Sequence, residues 1–213
     1  MSETSAYEAL HARIVAGELS PGERLVEEEL AEQLGESRGA IRTALLRLEH
    51  DRLVIRERNR GARVRRISAE EAVEILEARA ALESLAAGYA AERRTDADVK
   101  ELRKITAEMG KLLAAGELLA ISERNARLHR RILEISQHTV AQEICARLNP
   151  QMVRFQFRTV LAPGRPSKSL TEHGAIVEAI AAGDRKAAEA AMRRHLSHVA
   201  KTLLEMVASE RAA

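Results

Sequence analysis

Four side chains in the second half of this 213-residue sequence have the types and spacing of a metal ligand set. Asn125 and His129 stand four residues apart, so on a helix they share one face. His173 opens a later helical segment, and His195 lies 22 residues beyond it. That interval covers one helix, a short turn through Gly183-Asp184 and part of an antiparallel return, so both imidazoles can point into one interior. Neutral imidazoles with an oxygen donor suit zinc, nickel or a similar borderline ion. Seven histidines in a chain of this length are unremarkable, and on the residues alone packing histidines are the plainer reading. His198, one turn after His195, offers a competing candidate, whereas His11, His50 and His138 have no partner pattern and read as surface or local packing residues.

A different chemistry is concentrated near the N-terminus. Residues 1–36 hold two arginines against nine acids, whereas residues 37–66 hold ten arginines, no lysine and only Glu49, Asp51 and Glu57 as acids. An all-arginine segment suits planar, bidentate recognition of phosphates and guanine edges. A solvated arginine face paired with the acidic one is the alternative.

The elements that must carry these arginines are short. Tyr7, Leu10 and Ile14 share one helical face, and Gly17 ends that helix. Pro21-Gly22 sets a turn, and Leu25-Val26 leads into a helix from Glu27 to Leu34 that Gly35 stops. Ser37 is a natural N-cap for a helix running to about Asp51, with Ile41, Leu45 and Leu48 inward and Arg38 and Arg42 together on another face. Two short helices around a tight turn, the second with arginines in its first turns, is what reading a major groove requires. Leu53-Val54-Ile55 and Ala62-Arg63-Val64-Arg65 then read as strands around a turn at Arg58-Asn59-Arg60-Gly61, a hairpin or wing.

The segment from Pro21 to Leu45, continued by Leu46 to Leu53 and by Arg60-Gly61, resembles the winged-helix signature of the GntR family of bacterial transcriptional regulators. The resemblance implies a dimer on a palindromic double-stranded DNA operator, contacted through Ser37, Arg38, Gly39, Arg42, Arg47, Arg60 and Gly61, and usually a repressor. Gly39-Ala40 stands where the family often has Thr-Pro or Thr-Thr, and Glu28 where one subgroup carries an operator-contacting arginine.

Beyond residue 67 the sequence turns to long amphipathic segments. Ser68-Ala69-Glu70-Glu71 has a capping-box pattern, and helices are expected at about 69–93, 96–115, 118–136, 140–160, 167–182 and 184–209. Asp96 and Asp184 read as N-caps, Gly116 and Gly183 as stops, and Ala162 to Ser167 as the one heavily punctuated loop. The expected fold is mainly α: a winged helix-turn-helix over 1–67, then an antiparallel bundle of about six helices over 68–213 for effector binding and dimerisation.

Asn125 to Arg130, Ser169 to His173 and His195-Leu196 are similar to the ligand set of the FCD effector domain, found in the fatty-acid-regulator-type subgroup. In metal-binding members a carboxylate or amide four residues before the first histidine completes the set with three histidines. Asn125, His129, His173 and His195 hold those places here, and Leu128 replaces the usual Phe. The resemblance implies a divalent transition metal such as zinc or nickel, with an amide oxygen as the weaker ligand. It also implies a small carboxylate effector. Arg79 matches an arginine this domain type often carries on its first helix, although a salt bridge to Glu83 at i, i+4 explains it as well. Arg165 and Ser169 are candidates for the pocket rim.

Other classes find little support. No uncharged apolar run approaches the ~20 residues of a membrane span, and the start Met1-Ser2-Glu3-Thr4 is unlike a secretory signal, so a cytoplasmic protein is expected. The single cysteine, Cys145, excludes CxxC motifs. An enzyme, a metal-dependent hydrolase or lyase, is the remote alternative, because no HExxH, P-loop or GxGxxG is present. A metal-free ligand pocket on the same DNA-binding regulator is the nearer one.

Overall fold

The computed structural model describes residues 3–57 and 61–212, which fall into two compact units, Met1–Ser68 and Ala69–Ala213. In the first, α1 (Glu3–Val15) is followed by β1 (Arg24–Leu25), α2 (Glu27–Leu34), α3 (Arg38–His50), β2 (Val54–Glu57) and β3 (Gly61–Val64). The strands form an antiparallel sheet in the order β1-β3-β2, with Arg24 opposite Arg63 and Val54 opposite Val64. The core draws apolar residues from every element: Leu10, Leu25, Leu30, Ile41, Leu45, Leu48, Val54 and Val64 are all buried. Ser37 caps α3 as its sequence position suggests, its Oγ accepting from the Ala40 N–H at 3.1 Å. Gly35 ends α2 at φ 64°.

Two features were not expected from sequence. Leu25 belongs to a strand rather than a lead-in, because the Pro21-Gly22 turn lays Arg24-Leu25 along β3. Gly61 then has a structural reason to be glycine: its φ is +85°, and a Cβ there would sit 3.2 Å from the Leu25 carbonyl oxygen of β1. The turn residues Arg58, Asn59 and Arg60 lie outside the described residues.

The second unit is helical among the described residues: α4 (Ala69–Arg93), α5 (Asp96–Ala115), α6 (Leu118–Ile135), α7 (Thr139–Leu161), α8 (Arg165–Ala182) and α9 (Arg185–Ala212). The most extensive packing is between α4 and α9. It is close because α4 buries Ala72, Ala86, Ala87, Ala90 and Ala91, and α9 buries Ala188 and Ala191. None of the helices is long and apolar enough to cross a membrane, among the described residues.

Two local expectations are corrected. The cap of α5 is Thr95, not Asp96: Thr95 Oγ1 accepts from the Asp98 N–H, and the Asp98 carboxylate accepts from the Thr95 N–H, a reciprocal box that leaves Asp96 in the first turn. The punctuated loop is shorter than read, since α7 runs to Leu161 and α8 starts at Arg165. Pro166 lies in the first turn of α8, where its missing N–H costs nothing, and Gly164 at φ 73° makes the reversal. Pro150 sits inside α7. Asp184 does cap α9, accepting from the Ala187 N–H at 2.9 Å, and Gly116 and Gly183 are left-handed stops.

Candidate metal centre and nucleic-acid interface

Helices α6, α8 and α9 each deliver one histidine to the interior of the second unit. His129, His173 and His195 are 1–3% exposed, and one ring nitrogen from each lies within 4.8 Å of the others. His173 Nε2 and His195 Nε2 are 3.2 Å apart. Nitrogens bonded to one tetrahedral zinc at ~2.0–2.1 Å lie at about this separation.

What aims the rings is a pair of buried carboxylates. Glu83 on α4 is 1% exposed. Its Oε2 accepts from His129 Nδ1 at 2.5 Å, and its Oε1 from Arg79 Nε at 2.7 Å. Glu172 on α8 accepts from His195 Nδ1 (2.8 Å), from Arg165 Nη2 (2.8 Å) and from the exposed His198 Nδ1 (2.7 Å). With the δ nitrogens of His129 and His195 donating outward, their ε nitrogens are left as acceptors facing inward, the tautomer a metal ligand needs.

The protonation states agree. Burial would raise the Glu83 carboxyl, but the Arg79 charge and the bonds from His129 and Arg79 outweigh it and hold the group at about 2. Burial is likewise opposed at Glu172 by hydrogen bonds from His195, Arg165 and His198, which also hold it at about 2. His195 is pushed down to about 4 by burial, against the pull of Glu172. His173 falls well below 6.5 through burial and the neighbouring His195, His129 and Arg165. Both are neutral at pH 7 and able to ligate.

A cavity of about 40 Å³ opens beside the cluster. Asn125, Arg79, Arg165 and Ser169 line it together with the three histidines, so the structure brings these sequence candidates to one place. Apolar walls come from Leu76, Ile121 and Leu196. Two buried polar atoms on residues that line it have no partner: Arg165 Nε and His173 Nδ1. The donor set therefore fits a divalent metal with an anion beside it. His198 stands outside Glu172 rather than in the cluster, and His138 caps α7 instead, its Nδ1 accepting from the Ala141 N–H.

Sequence reasoning missed the roles of Glu83 and Glu172. The sequence offers Glu83 only as a salt-bridge partner of Arg79; that pair is present, and Arg79 also lines the cavity. Glu172 diverges from His173 by the ~100° of a helical step and so reaches His195 from behind. The available signals were Arg79-Glu83 at i, i+4 and Arg165-Glu172 two turns apart, each a charge pair flanking a ligand candidate.

The first unit presents the arginines. Arg38, Gly39 and Arg42 are exposed along the N-terminal turns of α3, and a Cβ at Gly39 would meet nothing closer than Ser37 Oγ at 3.8 Å. Arg42 Nη2 donates to Glu27 Oε2 at 3.0 Å. Such an exposed pair is weak enough to yield to a phosphate. Arg47 is exposed with its guanidinium 4.1 Å above the Tyr7 ring, and the Tyr7 hydroxyl donates to Asp51 at 2.7 Å. Arg60 lies outside the described residues.

Two family models match this chain: residues 3–64 match "Bacterial regulatory proteins, gntR family" and residues 74–198 match the FCD domain. The chain belongs to the gntR family of bacterial regulators, with an FCD domain. The HTH-type transcriptional regulator LutR of Bacillus subtilis is 30% identical over 208 residues, covering 88% of this chain and 94% of that one. The Uxu operon transcriptional regulator of Escherichia coli is 29% identical over 214 residues, covering 90% and 82%. The solved structure of E. coli McbR/YncC superposes with a TM-score of 0.82 at 22% identity, over 97% of this chain and 99% of that one, which shows a shared fold. This gntR-family protein is a transcriptional regulator with a DNA-binding helix-turn-helix, not an enzyme. The FCD match spans Arg79, Glu83, Asn125 and all three histidines.

Proposed function

We propose that this regulator is a cytoplasmic, homodimeric repressor that leaves a palindromic operator when a small organic acid binds its FCD domain beside a divalent metal. The convergence of three buried imidazoles, two of them braced by carboxylates, on one cavity carries the reading. His129, His173 and His195 hold the ion, and the Asn125 amide oxygen is the fourth protein donor. A zinc or nickel ion bound there supplies an open coordination position for a carboxylate oxygen. Arg79 and Arg165 orient the anion, Ser169 offers a hydroxyl at the rim, and Leu76 and Ile121 keep bulk water from one wall.

On DNA, Arg38 and Arg42 read base edges and phosphates, Ser37 and Gly39 bring the α3 N-terminus close to the backbone, and Arg47, Arg60 and Gly61 flank it. An effector shifts operator affinity only by its differential affinity for the bound and released arrangements. Coupling is therefore a property of the dimer rather than of the pocket alone.

A second reading, a metal-free ligand pocket, has one observation behind it. His173 Nε2 and His195 Nε2 can share a proton at 3.2 Å, so these two ring nitrogens are satisfied without an ion. Metal content of the purified protein by mass spectrometry, beside the double variant His129→Ala/His173→Ala, decides between them. Near-stoichiometric metal that disappears in the variant supports the centre, and no uptake from zinc or nickel solutions refutes it.

A further inference from the structure

The charges around the cavity cancel in pairs. Arg79 is matched by Glu83 and Arg165 by Glu172, the three imidazoles are ligands in their neutral form, and Asn125 contributes no charge. A divalent ion held by this set adds two positive charges to a site whose histidines are 1–3% exposed, with no first-sphere anion to offset them. One carboxylate from a ligand offsets half of that. A second anionic group offsets the rest, and a buried donor without a partner waits for it: Arg165 Nε, on a residue 5% exposed. The cavity is small, about 40 Å³, so the ligand is a small one.

We propose that the effector is a small dianion of the dicarboxylate class, one carboxylate facing the three-histidine cluster and the other bound by the Arg165 guanidinium. This rests on the metal-centre reading above and goes further by fixing the ligand's charge. The apolar side chains Leu76, Ile121 and Leu196 line the rest of the cavity. Residue 125 then sets the preference. An aspartate at that position would supply one negative charge from the protein, and a monoanion would suffice.

The test is calorimetric titration of the full-length, zinc-loaded protein with malonate and succinate against acetate and propionate. Each dianion is expected to bind at least about tenfold tighter than its monoanionic counterpart, the worth of one charged hydrogen bond in a buried site. Asn125→Asp should retain zinc more firmly and narrow that gap, while the neutral Asn125→Ser keeps it. Arg165→Lys, which removes the Nε–H but not the charge, should weaken the dianions and leave the monoanions unchanged. Zinc uptake with acetate or propionate binding as tightly as malonate or succinate overturns the dianion inference alone. A protein that takes up no zinc and binds none of the four acids overturns the metal-centre reading with it.

Discussion

Removing the charge of Glu83 is the sharpest single perturbation of the second unit. Glu83→Gln preserves shape, but it leaves the Arg79 guanidinium, 3% exposed, without its counter-charge. It also forces the amide NH₂ of the new side chain against either Arg79 Nε–H or His129 Nδ1–H, both of which donate to the native carboxylate. Breaking a buried pair by neutralising one partner costs about 3–5 kcal/mol. The carboxyl's own displacement, from 4.5 to about 2, gives about 3 kcal/mol by an independent route. For a protein of this size that is a fall in melting temperature of about 6–20 °C, read by calorimetry on metal-free protein at pH 7. Because His129 loses the acceptor that fixes its tautomer, zinc affinity should fall by about 10–100-fold as well. Arg79→Met/Glu83→Gln, which removes both charges, should be less damaged than Glu83→Gln alone. A Glu83→Gln protein melting within about 2 °C of wild type would refute the claim that this carboxylate holds the site.

Acid should destabilise the second unit well before it protonates carboxylates. His195 is held at about 4 and His173 well below its usual 6.5, so below 6.5 the unfolded chain takes up protons that the folded chain refuses. Stability contributed by His195 is therefore complete above 6.5 and falls by about 3 kcal/mol by pH 4, which denaturant midpoints at several pH values will read. A flat profile between pH 6.5 and 4 would mean that these rings are not buried neutral. At the DNA interface, Arg38→Ala and Arg42→Ala should each cost about 1–3 kcal/mol of specific operator binding by fluorescence anisotropy. Normal binding by both would place the recognition helix elsewhere. Glu27→Gln should release Arg42 and tighten binding to nonspecific DNA, most at low salt. Unchanged nonspecific affinity would show that the Glu27–Arg42 pair does not compete with phosphate.

Local signals made most of the fold legible. Gly35 and Ser37 bound the two short helices through φ > 0 and a side-chain cap, and Gly116 and Gly183 stop α5 and α8 by the same chemistry. Elements defined by distant partners were not legible: β1 is two residues long and exists only because β3 pairs with it. Thr95 displaced Asp96 as the α5 cap because the reciprocal bond to Asp98 satisfies two backbone donors rather than one. The three histidines could be selected from sequence because helical spacing limits where an imidazole points. Their orientation could not, since it depends on Glu83 of α4 meeting His129 of α6, and Glu172 of α8 meeting His195 of α9. Arg47 shows the same limit from the other side: its stacking on Tyr7 joins residues forty apart.

Placing the negative charge behind the histidines, rather than at residue 125, has a thermodynamic consequence. Each second-sphere carboxylate raises the basicity of its imidazole, yet each is also paired with an arginine. The chain thus prepares ligands for a cation without offsetting its charge. An ion bound alone is undercompensated, and a dianion bound alone meets arginines whose charges are already matched, with only Arg165 Nε unpartnered, so each should bind more tightly when the other is present. Linkage requires the two enhancements to be equal, and coupling of this kind is typically about 5–150-fold. Zinc affinity measured against a metal buffer, with and without saturating succinate, should rise by the same factor as succinate affinity with and without zinc. Asn125→Asp should shrink that factor, because the protein then supplies part of the missing charge. Equal zinc affinity with and without succinate would show that the two sites are electrostatically independent, and the paired arginines would then have to be read as structural bridges alone.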